Sequence, residues 1–158
     1  MGLDMYLTKK TYLGTQWEHR GVTAEITVKS EGKTVDVGIN PHKIEEITES
    51  AIYWRKANHI HKWFVENVQN GEDDCGTYPV SLDQLKDLRD LCEEVINNRD
   101  KAHELLPTQA GFFFGGLDYD VPGYFEDTIT TYNDLRKIID NYPSGTLFYV
   151  DYYYSSSW

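Results

Sequence analysis

Residues 54 to 64, WRKANHIHKWF, carry the polar side chains best placed to do chemistry. Trp54, Asn58 and His61 share one stripe with Ile44, Ile47, Ala51, Val65 and Val68, in the alternating steps of three and four that draw one face of a helix. Burying an amide and an imidazole there costs roughly 1–3 kcal/mol each unless both find hydrogen-bond partners. Two explanations are open. In one, the polar groups belong to an internal network, with His61 held by a Tyr or Asp of a neighbouring sheet. In the other, the stripe opens into a pocket. Trp54 then stacks on a flat ligand, Asn58 and His61 bond its polar edge, and Arg55 meets a phosphate or carboxylate.

Two further clusters deserve the same test. In TQAGFFFGGLDYD, glycines at 111, 115 and 116 permit close backbone approach, while Gln109, Tyr119 and Asp120 bring polar groups to the ends of an apolar run. The plainer reading is a buried strand with bends, and the spacing fits neither the Rossmann fingerprint nor a P-loop. Asp4 neighbours Tyr6, and Asp151 lies between Tyr149 and Tyr153. If the first and last strands are neighbours, the two acids approach as an acid/base pair, which with His61 is what a hydrolase or transferase would use. Ordinary Asp–Tyr hydrogen bonds explain them more simply.

Metal and thiol chemistry are not expected. His59, His61, Cys75, Cys92 and His103 show no CxxC or HExxH spacing, and His59 and His61, two apart on a helix, point to different sides. Cys75 in GEDDCGT sits among acids, opposite to the electropositive setting that activates a thiolate. No GxSxG occurs. No cofactor is implied, and a non-enzymatic role is preferred.

The elements that must position these residues follow from local pattern. GLDMYLT alternates as a strand, with Leu3, Met5 and Leu7 on one face and Asp4 and Tyr6 on the other. VTAEITVKS and KTVDVGI flank the turn SEGK as a hairpin, placing Val22, Ala24, Ile26 and Val28 on one side, and these first strands are expected to share one sheet. Asn40 before Pro41 reads as the cap of a long helix reaching about Asn70. Ser81 and Gln84 make a capping box for a second helix, with Leu82, Leu85, Leu88, Leu91, Cys92 and Val95 as its buried face and its end near Asn97 or Asn98. GFFFGG and YFEDTITT read as strands, Thr131 with Asp134 as the cap of a third helix, PSG as a turn, and TLFYVDYYY as the closing strand. The order argues for an α+β fold in a single domain over residues 1–158: a mainly antiparallel sheet with one long and two shorter helices on one face.

Bulk composition narrows the partners. The net charge is -11, and residues 70–158 hold seventeen acids against six Lys plus Arg while residues 1–69 balance nine against nine. Such a surface repels a phosphate backbone, so direct nucleic-acid binding is not expected, whereas a basic protein partner is compatible. Glu72, Asp73, Asp74, Asp87, Asp90, Glu93 and Glu94 would form its contact. No apolar run approaches a membrane span, the N-terminus lacks signal-peptide order, and two cysteines are read as free thiols, so a cytosolic location is expected. Twelve Tyr, six Phe and four Trp suit a thick core rim or a binding surface. The oligomeric state is left open.

Taken together, MGLDMYLTKKTY, YWRKANHIHKWFVENVQ, DDCG, LLPTQAGFFFG with the following DYD, and the terminal YYYSSSW resemble the blocks of a family of small bacteriophage and prophage proteins. The resemblance covers most of the chain. It implies an accessory protein of the host-cell cytosol that acts by binding, either sequestering a signalling nucleotide or blocking a host defence protein. It supplies no catalytic residues. The expectation is therefore a ligand site built from Trp54, Arg55, Asn58, His61, Gln109 and Tyr119, with Asp4 and Asp151 nearby, for a small planar or nucleotide-like ligand.

Overall fold

The structure, a computed structural model, describes residues 2–119, 122–143 and 148–158. In chain order the elements are β1 (Asp4–Tyr12), β2 (Val28–Ser30), β3 (Lys33–Val35), β4 (Glu46–Arg55), α1 (Asn58–Asn67), β5 (Thr77–Val80), α2 (Leu82–Asn97), α3 (Ala102–Leu105), α4 (Pro122–Asp140) and β6 (Tyr149–Ser157). The fold is α+β. The chain divides into two compact units: one holds residues up to 9 with 50–142 and 151–158, the other 10–49 and 143–150.

The four-stranded sheet runs β4-β1-β6-β5. Period-two alternation decides its two faces. Leu3, Met5 and Leu7, then Ile52 and Trp54, then Tyr152 and Tyr154 are all buried. The opposite face carries Tyr6, Tyr53 and Asp151, which are exposed, and the half-buried Asp4. Helices cover the buried face. The Phe64 ring of α1 stacks on Tyr154 at 3.9 Å between centroids and 5° between planes, an arrangement that adds roughly 1 kcal/mol to the area buried. The Trp54 indole N–H donates to Thr131 Oγ1 of α4 at 2.8 Å. α2 begins with the capping box: Ser81 Oγ accepts from the Gln84 N–H at 3.2 Å and Gln84 Oε1 accepts from the Ser81 N–H at 2.9 Å. Its Leu85, Leu88, Cys92 and Val95 are fully buried, and α2 packs along α4.

The second unit contains the β2–β3 hairpin. Ser30 pairs with Lys33 across Glu31 and Gly32, both at positive φ (50° and 77°), as a two-residue primed turn requires. Thr15 Oγ1 accepts from the Ile44 N–H at 2.8 Å, and the Lys10 ammonium meets Glu46 at 2.9 Å.

Several sequence expectations are corrected. Residues 46–55 are strand, not helix, and the helix at this place runs only from Asn58 to Asn67. Asn40 caps no helix; its Oδ1 accepts from the His42 N–H at 3.0 Å in a local turn that closes with Lys43 N–H on Asn40 O. Ile52 and Trp54, two apart, are the inward residues, and Lys56 at φ 60° breaks the strand from α1. The hairpin strands form their own two-stranded sheet apart from β1, and Ile26 and Val28 are exposed. YFEDTITT lies inside α4, so Thr131 is mid-helix and not a cap. GFFFGG is a loop with Phe113 at φ 65°; Phe112 is 80% exposed and only Phe114 is buried. β5 was not foreseen. Asp120 and most of the PSG turn lie outside the described residues.

Candidate functional site

The polar residues of the stripe go to different destinations. Trp54 is 4% exposed and committed to Thr131, so it offers no stacking face. His61 is fully buried, in the internal network that one of the two explanations required. The Tyr154 hydroxyl donates to His61 Nδ1 at 2.7 Å, His61 Nε2–H donates to Asp73 at 2.9 Å, and the Trp158 indole donates to the other Asp73 oxygen at 3.0 Å. Burial, reinforced by the Asp73 carboxylate, pushes the Tyr154 phenol far up, which keeps its proton on the bond to His61. Phe114 closes the network edge-on to the His61 ring at 5.2 Å.

Asn58 organises a loop. Its amide N–H groups donate to Gly116 O at 2.8 Å and Phe114 O at 3.3 Å, and its Oδ1 accepts from the Gln109 main-chain N–H at 3.2 Å. Gln109 thus contributes its backbone here. Tyr119 closes the loop base, where its hydroxyl accepts from the Thr108 N–H at 3.0 Å. Gly115, at φ 101°, lies so close to Lys56 that an added Cβ would stand 3.2 Å from Lys56 O. The Asn58 side chain thus ties residues 109, 114 and 116 to the start of α1.

Between that loop, the β4–α1 junction and the first turns of α4 opens a cleft of about 330 Å³, near the lower bound of small-ligand pockets. Arg55, Lys56, Asn58 and His59 line it from the junction and α1, Thr108, Gly115, Gly116 and Asp118 from the loop, and Gly123, Tyr124 and Asp127 from α4. Arg55 is largely exposed, 4.0 Å from Asp4. Asp4 in turn accepts from the Tyr53 hydroxyl at 2.5 Å, which raises the Tyr53 phenol.

His59 and Asp127 have perturbed chemistry. Burial lowers the His59 imidazole to about 3, so it is neutral at physiological pH. Its ring packs on Tyr124 at 4.1 Å. Burial, and secondarily Glu126, raises the Asp127 carboxyl to about 6. Perturbed groups in a cleft mark a functional-site candidate on physical grounds.

Of the predicted site residues, the structure brings Arg55 and Asn58 to this cleft. Trp54 and His61 face the core. β1 and β6 are neighbours, but no hydrogen bond or ion pair joins Asp4 to Asp151 among the described residues, and Asp151 is exposed. Lys56, His59, Thr108, Asp118, Tyr124 and Asp127 also line the cleft, and the sequence reading did not single them out for a binding site. His59 alone had been considered, as a metal ligand. Among the described residues no group of three or more His, Cys, Asp or Glu is arranged to hold a metal, and no helix is long and apolar enough to cross a membrane. Cys75 and Cys92 are free thiols.

No protein-family model matches the chain, and neither a curated protein nor a solved structure matches it.

Proposed function

We propose that this chain is a non-enzymatic binding protein whose cleft takes a small nucleotide-like ligand, in a phage-type accessory role that withdraws such a ligand from host defence. The observation that carries this reading is the cleft's mixed lining. Two cations, Arg55 and Lys56, enter from the β4–α1 junction, and two carboxylates, Asp118 and Asp127, from the opposite walls. Arg55 and Lys56 suit a phosphate or carboxylate, while Asp118 and Asp127 suit N–H donors of the ligand. Native mass spectrometry of protein purified from phage-infected cells tests it. A mass excess of nucleotide size that vanishes on denaturation, and is absent from Arg55→Glu, supports the reading. Bare chain mass in both proteins, with no thermal shift from millimolar nucleoside monophosphates, overturns it.

A second reading rests on α2, where Asp83, Asp87, Asp90 and Glu94 are exposed at steps of four, three and four along one side; Lys86 pairs with Asp83 and Arg89 with Asp90, while Asp87 and Glu94 make no ion pair among the described residues. This side would occupy a basic surface of a host protein. Asp73 and Asp74 are less suited to it, being bonded within the protein. Affinity for such a partner should fall steeply between low and physiological salt; a salt-insensitive complex argues against it.

A further inference from the structure

The polar groups that line the cleft can be followed one by one to their partners, and most are spent. The Tyr124 hydroxyl donates to Leu106 O at 2.7 Å, and the Thr108 hydroxyl sits 3.3 Å from Leu117 O. Both ends of the Asn58 amide serve the loop. The Thr128 hydroxyl donates its one proton to Tyr124 O at 2.8 Å, so at its 3.1 Å contact with His59 Nε2 it must accept. That fixes the His59 tautomer: Nε2 carries the proton and Nδ1 is a bare lone pair. Among the described residues Nδ1 has no protein partner, and it is not one of the unpartnered atoms sealed from solvent, so it is open to the cleft that His59 lines. Asp127 likewise makes no side-chain hydrogen bond or ion pair among the described residues, and Asp118 is exposed at the loop. The unspent side-chain groups away from Arg55 and Lys56 are thus acceptors.

We infer that His59 and Asp127 form an acceptor wall that selects, among nucleotide-like ligands, those with adjacent N–H donors on the base edge, which makes guanine nucleotides the preferred class. Guanine presents its ring N1–H and exocyclic amino group side by side, a match for a carboxylate's two oxygens. Hypoxanthine keeps only the ring N–H. Adenine places a ring acceptor beside its amino group and would set a lone pair against Asp127. The inference rests on the reading of the cleft as a nucleotide site, with Arg55 and Lys56 on the phosphate.

The test is isothermal titration of the full chain, at pH 7.5, with guanosine, inosine and adenosine monophosphates and with ribose 5-phosphate. The expected order is guanosine over inosine by about tenfold, with adenosine weakest of the three, because each lost charge-assisted bond costs about that factor or more. Asp127→Asn, with its thermal midpoint measured to confirm folding, should level the three bases. Arg55→Ala should weaken all four ligands by a common factor. If the three nucleotides and ribose 5-phosphate bind equally, the acceptor-wall inference is overturned while anion binding stands. If none binds, the nucleotide reading of the cleft fails, and this inference with it.

Discussion

Replacing His59 by glutamine provides a quantitative test of the neutral imidazole. Burial lowers its pKa from 6.5 to about 3. A depressed folded value means the unfolded chain binds a proton that the folded chain refuses. The associated stability is fully present above pH 6.5 and is lost as pH falls toward 3. The whole span is worth on the order of 4–5 kcal/mol, at about 1.4 kcal/mol per unit. Down to pH 4.5 the loss is about 3 kcal/mol, a large share of the roughly 5–15 kcal/mol that holds an ordinary domain. Glutamine cannot titrate, and its amide can still donate to Thr128. Urea unfolding at pH 7.0 and pH 4.5 should therefore show His59→Gln less stable at neutral pH, through lost packing on Tyr124, yet about 3 kcal/mol less sensitive to the acid shift. His61 and every carboxylate are common to both proteins and cancel in the comparison. An equal loss of stability in the two proteins between these pH values would refute the buried, neutral His59.

Asp127 carries the opposite sign. Its folded value, about 6, lies above the ordinary carboxyl value of 3.8, so its contribution is fully present below pH 3.8 and is lost as pH rises through 6. Asp127→Asn should therefore add about 1 kcal/mol of stability at pH 8, after allowance for its partial exposure, and none at pH 4, read as a higher thermal midpoint at pH 8 alone; the same difference from the parent at both pH values would count against a desolvated carboxyl. Asn58→Ala should release the loop it staples, with faster amide exchange at Gln109 and a stability loss of about 2–3 kcal/mol; unaltered protection there would remove Asn58 from its organising role. His61→Ala should cost about 3–5 kcal/mol, since it strands the Tyr154 hydroxyl and the Asp73 carboxylate together. Its signature in a double-mutant cycle with Tyr154→Phe is strong non-additivity, and simple additivity would deny the network.

Some of this architecture was legible in the chain because its causes are local. The Ser81–Gln84 box spans four residues and satisfies its own helix end, so α2 and its buried leucines follow from a short window. Alternation in GLDMYLT assigns Leu3, Met5 and Leu7 to the core, and SEGK turns a hairpin. The polar stripe also signalled that Asn58 and His61 need partners, because burial of an unpaired amide or imidazole is too costly to persist.

Tertiary structure decided the rest. Residues 44–54 place apolar side chains at spacings compatible with both helix and strand, and pairing with β1, some forty residues earlier, selects the strand, as the Lys56 N–H to Leu3 O bond at its end illustrates. YFEDTITT, rich in strand-forming residues, is helical because α4 buries Thr128, Thr131 and Leu135 along one side. The cleft is further still from local pattern. Asp127 and His59 are ordinary polar letters until α1 and α4 are brought together and Thr128 consumes one imidazole nitrogen, leaving the other bare. Periodicity records which side chains leave water; which polar atoms remain unpaired depends on residues far apart in the chain, and only their packing in three dimensions settles it.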